Sequence, residues 1–295
     1  MKREITDVCE IQRLLLDMMD VFHAICEEHG LIYSLHAGSL LGAMRHQGFI
    51  PWDDDMDVMM PRPDFEKFVA LTRDGYGSKY VTLYTHVRDF AYTFAKFCDM
   101  TSLREELINR KIVEMQLNID IFPLDGLPNN SRVQAKRWRV IKIIRHFLRF
   151  AKHERRRDPI YTKEGVYYWL KKLPLASNVR LYTKLYEWYV KRIPYASSEH
   201  VREYSTIPCD KRATSRYQMQ TRRSEFEDRV LVPFEGRHYW ALQNADHFLT
   251  LWFGDWRTPP PPEEQIAKHG AIYTLHSNEM TAEMSANVES DSNAG

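Results

Sequence analysis

The chain has 295 residues, 44% apolar and 13% aromatic, with 41 basic against 40 acidic side chains. That length suits one large domain or a core carrying an insert, and that apolar content supplies a substantial core. No run of about 18 apolar residues occurs, which argues against a membrane-spanning helix, and MKREITDVCEIQ lacks the apolar stretch of a signal peptide.

From Asp7 to His29, Val8, Ile11, Leu14, Leu15, Met18, Met19, Phe22 and Ile25 recur at three- and four-residue spacing, which predicts an amphipathic helix. Asp7 and Glu10 suggest a capping box and Gly30 a stop. LIYSLH (31–36) reads as a short strand. A tight Ala37-Gly38-Ser39 turn then leads into a helix, SLLGAMRH, broken by Gly48 and Pro51. DMDVMM (55–60) alternates as a strand that Pro61 and Pro63 end. Asp64 is placed to cap the next helix, which carries Phe65, Phe68, Val69 and Leu71. VTLYTH (81–86), YTFAKFCDM (92–100) and LNIDIF (117–122) read as strands, the last closed by Pro123 and a turn at Asp125-Gly126.

Residues 131–192 differ in character. They hold eighteen Lys and Arg against four acids, a net of +14, so the rest of the chain carries about −13. KRWRVIKIIRHFLRFAKHERRR, VYYWLKKL and LYEWYVKR are helical in pattern, and Pro194 marks the return to the core. Further on, residues 244–253 predict a helix stopped by Gly254. Pro259 to Pro262 force an extended segment, and 278–295 are polar enough to be disordered. Cys9, Cys26, Cys98 and Cys209 form no CxxC pair and read as reduced thiols in a cytosolic protein.

The chemistry concentrates in FIPWDDDMDVMM, where Asp53, Asp54, Asp55 and Asp57 fall within five residues. Such crowding calls for a cation. A strand alternates its side chains, so Asp55 and Asp57 would share a face about 6–7 Å apart, as hard-cation ligands do. Asp120, alone between Ile119 and Ile121, is costly to bury without a partner and is the candidate third carboxylate. Three carboxylates on adjacent strands suit a metal used in phosphoryl or nucleotidyl transfer. The Gly38-Ser39 turn offers backbone N–H groups to a phosphate at a helix N-terminus, and Arg45 and Lys96 are candidate pyrophosphate contacts. Each feature alone also has a structural reading: a common turn, a solvated acidic loop, an Asp–Lys pair, surface charges.

Taken together, Gly38-Ser39, Asp55-Met56-Asp57 and Ile119-Asp120-Ile121 match the nucleotidyltransferase superfamily layout. HAGSLLGAMRHQGFIPWDDDMDVMMPRPDFEKF resembles the LicD family of phosphocholine transferases, as do FAKFCDMTSLREE and FGDWRTPPPPEEQIAKHG, so the resemblance runs from about 12 to 270. It implies an α+β fold: a nucleotidyltransferase-like mixed sheet core (1–130), an inserted basic helical subdomain (131–193), a C-terminal part of the core (194–277) and a tail. It implies transfer of a phospho-substituent from a CDP-linked donor, CDP-choline first among them, to a glycan hydroxyl. By carry-over, Asp55, Asp57 and Asp120 hold Mg²⁺ or Mn²⁺, Gly38 and Ser39 touch the donor phosphates, Arg45 and Lys96 neutralise the pyrophosphate, and Asp120 takes the acceptor's proton. Trp52, Tyr92, Trp252 and Trp256 are candidates for caging a trimethylammonium group by cation–π attraction; Asp255 is a further candidate near the site.

Ribitol phosphate or glycerol phosphate transfer, true nucleotidyl transfer, and a non-catalytic glycan- or membrane-binding role remain alternatives. The basic segment fits a solvated face, an anionic membrane surface that would place a cytoplasmic protein at the inner face of the membrane, or an acidic glycan. No recognition motif accompanies it, so nucleic acid is not expected.

Overall fold

The structure, a computed structural model, describes residues 3–87, 90–108, 111–152, 178–205, 220–266 and 273–275. The predictions for Cys209, for VYYWLKKL and for the C-terminal tail fall outside these residues.

The first helix, α1 (Val8–His29), forms as its pattern predicts. Asp7 caps it by accepting from the Cys9 N–H, and Gly30 ends it in the left-handed conformation at φ 62°. Its apolar stripe, including Leu15, Met18, Met19 and Phe22, is buried. A short strand, β2 (Ser34–Leu35), replaces the longer one expected and leads into α2 (Ala37–His46). Then come β3 (Asp57–Pro61), α3 (Arg62–Thr72), β4 (Tyr80–Leu83) and two long strands, β5 (Ala95–Ile108) and β6 (Lys111–Leu127).

These strands build a nine-stranded mixed sheet ordered β1-β11-β5-β6-β3-β2, where β1 is Arg3–Ile5 and β11 is Tyr273–Leu275. The β3–β6 pair is parallel and the other pairs are antiparallel; β4 adds to β5, while β7 (His200–Glu203) adds to β6 and is followed by β8 (Gln220–Arg222). Alternation divides the sheet. Phe97, Ile119, Ile121 and Val58 share one face, where Phe97 packs on Phe22 of α1 and Phe68 of α3. Lys96, Asp120 and Asp57 share the other.

Two turn expectations do not hold. Asp64 does not cap α3, whose N-cap is Pro61; instead its carboxylate accepts from the Ile32 N–H at 3.3 Å. Asp125-Gly126 is no turn, because β6 runs straight through it. The Asp120 N–H points to β3, so the odd-numbered N–H groups point the other way. Pro123, which has none, therefore sits at the seam where the antiparallel partner changes from β5 to β7. Gly126 is required by packing: a Cβ there would lie 2.3 Å from Ser198 Oγ and 2.6 Å from the Ile193 carbonyl oxygen.

The basic segment contributes α4 (Ser131–Lys152) and α5 (Val179–Val190), which pack with β6 and β7 around Leu127, Ile141, Ile144, Tyr186, Val190 and Tyr204. The chain then forms α6 (Arg223–Glu227), a hairpin of β9 (Arg229–Phe234) and β10 (Arg237–Leu242), and α7 (Ala245–Phe253), ended by Gly254 as predicted. Pro262 opens a short 3₁₀ turn, Pro262–Glu264, so the four prolines are not one extended run. Among the described residues no helix is long and apolar enough to cross a membrane, and Cys9, Cys26 and Cys98 are unbridged.

Candidate active site

Asp57 opens β3 and stands in register with Asp120 of the parallel strand β6; Lys96 of β5 stands in register with Asp120 from the other side. Lys96 Nζ donates to Asp120 Oδ1 at 2.6 Å, and Asn118 Nδ2 donates to the same oxygen at 2.5 Å. Burial alone would lower the lysine pKa, but Asp120 and Tyr92 hold it above its usual value, so the ammonium stays charged. Its Nζ lies 4.9 Å from the ring centre of Tyr92 and 5.3 Å from that of Phe94.

Asp55 is not on the strand. Residues 53–56 form a loop before β3, so the alternation predicted for Asp55 and Asp57 is not what brings them together. The loop is held from outside itself. Gln12 of α1 donates to the carbonyl oxygens of Ile50 and Asp53 at 3.2 and 2.8 Å, and Glu235 of the hairpin accepts from the Phe49 N–H at 3.1 Å. Asp53 and Asp54 are buried, while Asp55, Asp57 and Asp120 are partly exposed. The Asp57 carboxyl is pushed well above the usual carboxylate range, first by desolvation and then by Asp55, Asp120 and Asp53; Lys96 alone opposes them.

The Ala37-Gly38-Ser39 stretch is the first turn of α2 rather than a turn before it. Ala37 has φ +42°, a strained conformation for a residue with a Cβ, next to the predicted phosphate contacts. A Cβ on Gly38 would lie 2.7 Å from Asp53 Oδ2, so glycine is needed where the helix start meets the acidic loop. Ser39 Oγ accepts from the Asp57 N–H at 2.8 Å, which pins the start of β3 to the helix and leaves the hydroxyl proton to donate. Arg45 lies about 9 Å farther along the helix, where Nη1 donates to the Trp256 carbonyl at 2.9 Å. That bond fastens α2 to the segment after α7. Asp255 accepts from Thr258 Oγ1 at 2.7 Å within its own turn.

A row of rings runs beside the aspartates. Tyr92 meets Phe94 at 5.3 Å, Phe94 meets Phe122 at 4.6 Å, Phe122 meets His36 at 5.0 Å, and His36 meets Trp252 edge-on at 4.7 Å. Of the predicted cage aromatics, Tyr92 and Trp252 belong to this row. Trp256 instead donates to Asp246 at 3.1 Å, and Trp52 packs against the main core.

His36 is buried at 1% exposure, and neither ring nitrogen has a hydrogen-bond partner among the described residues. Burial, opposed weakly by Glu203, pushes its pKa down to about 4. The ring is therefore neutral in the folded state and charged below pH ~6.5 in the unfolded chain. Stability is expected to fall from pH ~6.5 to ~4, by up to roughly 3 kcal/mol from this residue. Urea midpoints of the wild type should show that fall, and His36→Phe should lack the His36 part of it. Equal pH slopes in the two proteins would remove His36 as the cause.

A divalent cation suits this donor set of hard carboxylate oxygens, which carries an excess of negative charge that raises Asp57. Among the described residues, no three His, Cys, Asp or Glu side chains form a closed metal group. Asp120 is drawn toward Lys96 and Asn118. An ion that takes one or two carboxylates and completes its shell with phosphate oxygens and water would suit such a set.

A family model described as "LicD/FKTN/FKRP, nucleotidyltransferase domain" matches residues 30–153, which contain Gly38, Ser39, the acidic loop, Asp57, Lys96 and Asp120. The chain is 29% identical to the lipopolysaccharide cholinephosphotransferase LicD of Haemophilus influenzae over 273 residues, covering 88% of this chain and 95% of that protein. It is also 34% identical over 74 residues to an uncharacterised protein of Rickettsia typhi, 24% of each chain. A protein of Rickettsia prowazekii, also uncharacterised, is 40% identical over 50 residues, 17% of this chain and 19% of that protein.

Proposed function

We propose that this chain is a LicD-type phosphotransferase that moves phosphocholine from a CDP-linked donor to a hydroxyl of a cell-surface glycan or its precursor, on the cytoplasmic side; its likeness to the LicD domain model and to the Haemophilus influenzae cholinephosphotransferase supports this reading. The observation that carries the reading is the three-strand constellation in which Asp57, Asp120 and Lys96 stand in register, facing the first turn of α2 across Ser39.

The roles follow from charge and position. The N–H groups opening α2 receive a donor phosphate, since a helix start favours negative charge. Lys96, kept charged, supplies a fixed cation to the pyrophosphate. Asp55 and Asp57 would hold Mg²⁺ or Mn²⁺. That ion, when bound, neutralises phosphate oxygens and orients the leaving group. Asp120 accepts the proton of the acceptor hydroxyl as that oxygen bonds to phosphorus and the bond from phosphorus to the CMP oxygen breaks; CMP leaves with the electron pair. Its bonds to Lys96 and Asn118 aim the carboxylate. The ring row from Tyr92 to Trp252 supplies aromatic faces for the trimethylammonium group.

The test is CMP release from CDP-choline, CDP-ribitol and CDP-glycerol, each offered separately with Mg²⁺ and a glycan acceptor, with the product weighed by mass spectrometry. The expected result is CMP from CDP-choline, a product heavier by one phosphocholine, and loss of both with EDTA. CMP from a CDP-alditol alone would move the donor assignment to that alditol. A product carrying the nucleotide would overturn the reaction.

A further inference from the structure

We propose that the paired helices α4 and α5 form a docking face for an anionic lipid surface. Twelve large apolar side chains are exposed among the described residues, and six of them lie on these two helices, in the most basic part of the chain. Ile143 and Trp188 are more than half exposed, at 56% and 58%. The helices run antiparallel: Arg137 at one end donates to the Tyr189 and Val190 carbonyls, and at the other end Phe147 stacks on Tyr182 at 5.6 Å and 12°. That stack bridges the seam, so the exposed Ile143 and Phe147 of α4 continue onto the exposed Leu185 and Leu181 of α5.

Charge selects the partner. Lys136, Arg139, Lys142 and Lys184 are exposed around this apolar strip. Glu187 is the only acid in either helix, and it is turned inward: it is buried, accepts from Tyr84 Oη and pairs with Arg62 and Lys191. Among the described residues of the two helices, the outward side chains are cations and apolar groups, with no acid among them. Polyanions such as nucleic acid would reward the cations but not exposed Ile, Leu and Trp. An anionic bilayer rewards both, since apolar side chains enter the headgroup boundary while Lys and Arg meet lipid charge. The same Glu187–Arg62 contact ties α5 to the residue following β3, so the face is held rigidly to the strand bearing Asp57.

The experiment is co-sedimentation of the full chain with phosphatidylcholine vesicles and with vesicles of phosphatidylcholine and phosphatidylglycerol in equal parts. Binding is expected to the mixed vesicles only, and to weaken as salt is added. Ile143→Ser/Phe147→Ser/Trp188→Ala should bind at least about tenfold more weakly, and Lys142→Ala/Lys184→Ala more than about fivefold. The lysine variant should keep the wild-type melting temperature, because its altered side chains are exposed, and the apolar variant, which loses the Phe147–Tyr182 stack, should still be folded at the assay temperature by circular dichroism. Failure to sediment with mixed vesicles at low salt would overturn the proposal, as would unchanged binding of the apolar variant. Tighter binding to duplex DNA than to vesicles would assign the face to polyanions. A change of oligomeric state in the apolar variant with vesicle binding intact would make it a contact between copies; either result also overturns it.

Discussion

Asp57→Asn is expected to lower transfer at least ~10³-fold while raising the melting temperature of the metal-free protein by ~2–3 °C, the shift that ~1 kcal/mol produces in a chain of this size. The two effects have one cause. Burial, Asp55, Asp120 and Asp53 all disfavour a charge on Asp57, so its carboxyl titrates well above the usual range. A carboxyl raised in the folded state gives its full stability below the unfolded value and loses it as pH rises through the folded value. At pH 7 the charge is therefore a liability without a cation, and an amide of the same shape removes it. Scanning fluorimetry at pH 7 should show the variant melting higher than the wild type. Near pH 4, where the wild-type carboxyl is already protonated in the fold, the difference should shrink. Added Mg²⁺ should raise the wild type and leave the variant nearly unmoved. Retained activity, or a lower melting temperature at pH 7, would remove Asp57 from the metal site.

Arg62→Met is expected to destabilise the fold by ~3–5 kcal/mol, a fall of ~10 °C in melting temperature. Arg62 is buried and grips Asp125 through two bonds of 2.7 Å; its remaining nitrogen reaches Tyr84 and Glu187, each at 3.3 Å. Lys191 joins Glu187 at 2.9 Å. Burial alone would raise the Glu187 carboxyl, yet Arg62 and Lys191 hold it below its ordinary value. The network joins α3, β6 and α5, so removing its central cation strands Asp125 inside the protein and leaves Glu187 to Lys191 and Tyr84. Urea denaturation of Arg62→Met, Asp125→Leu and the double variant separates this from lost packing. The double variant should be clearly less destabilised than the sum of the singles, because each single strands a charge that the double removes. Additive losses would mean that the residues contribute independently.

Local rules were legible where the chain supplied its own partners. The α1 stripe, the Asp7 cap, the Gly30 stop and the Gly254 stop all follow from spacing and terminal chemistry within a few residues, and the structure keeps each of them. The hairpin Arg229–Leu242 was missed despite a signal: Glu235-Gly236 sits between the strands with both residues at positive φ, as a two-residue hairpin turn requires. Gln12 and Asn118 carried no local signal, since an amide on a helix face or in a strand reads as solvated until its partner is known.

The chemistry is written in the residues themselves: an acidic cluster, a lone Asp between isoleucines, a Gly-Ser pair and a lysine on a strand, in an order specific enough to point to one family and an α+β fold. Which of those groups meet was decided only by tertiary structure. Strand alternation was expected to align Asp55 with Asp57, but the loop 53–56 is set by Gln12 and Glu235, which lie 41 positions before Asp53 and 186 after Phe49. Asp57, Asp120 and Lys96 meet through pairing across three strands, and Arg45 bonds a carbonyl 211 positions distant. The physical reason is the same throughout: periodicity and capping act over a few residues of chain, whereas pairing register and the burial of charge are settled by whatever segment the fold brings alongside.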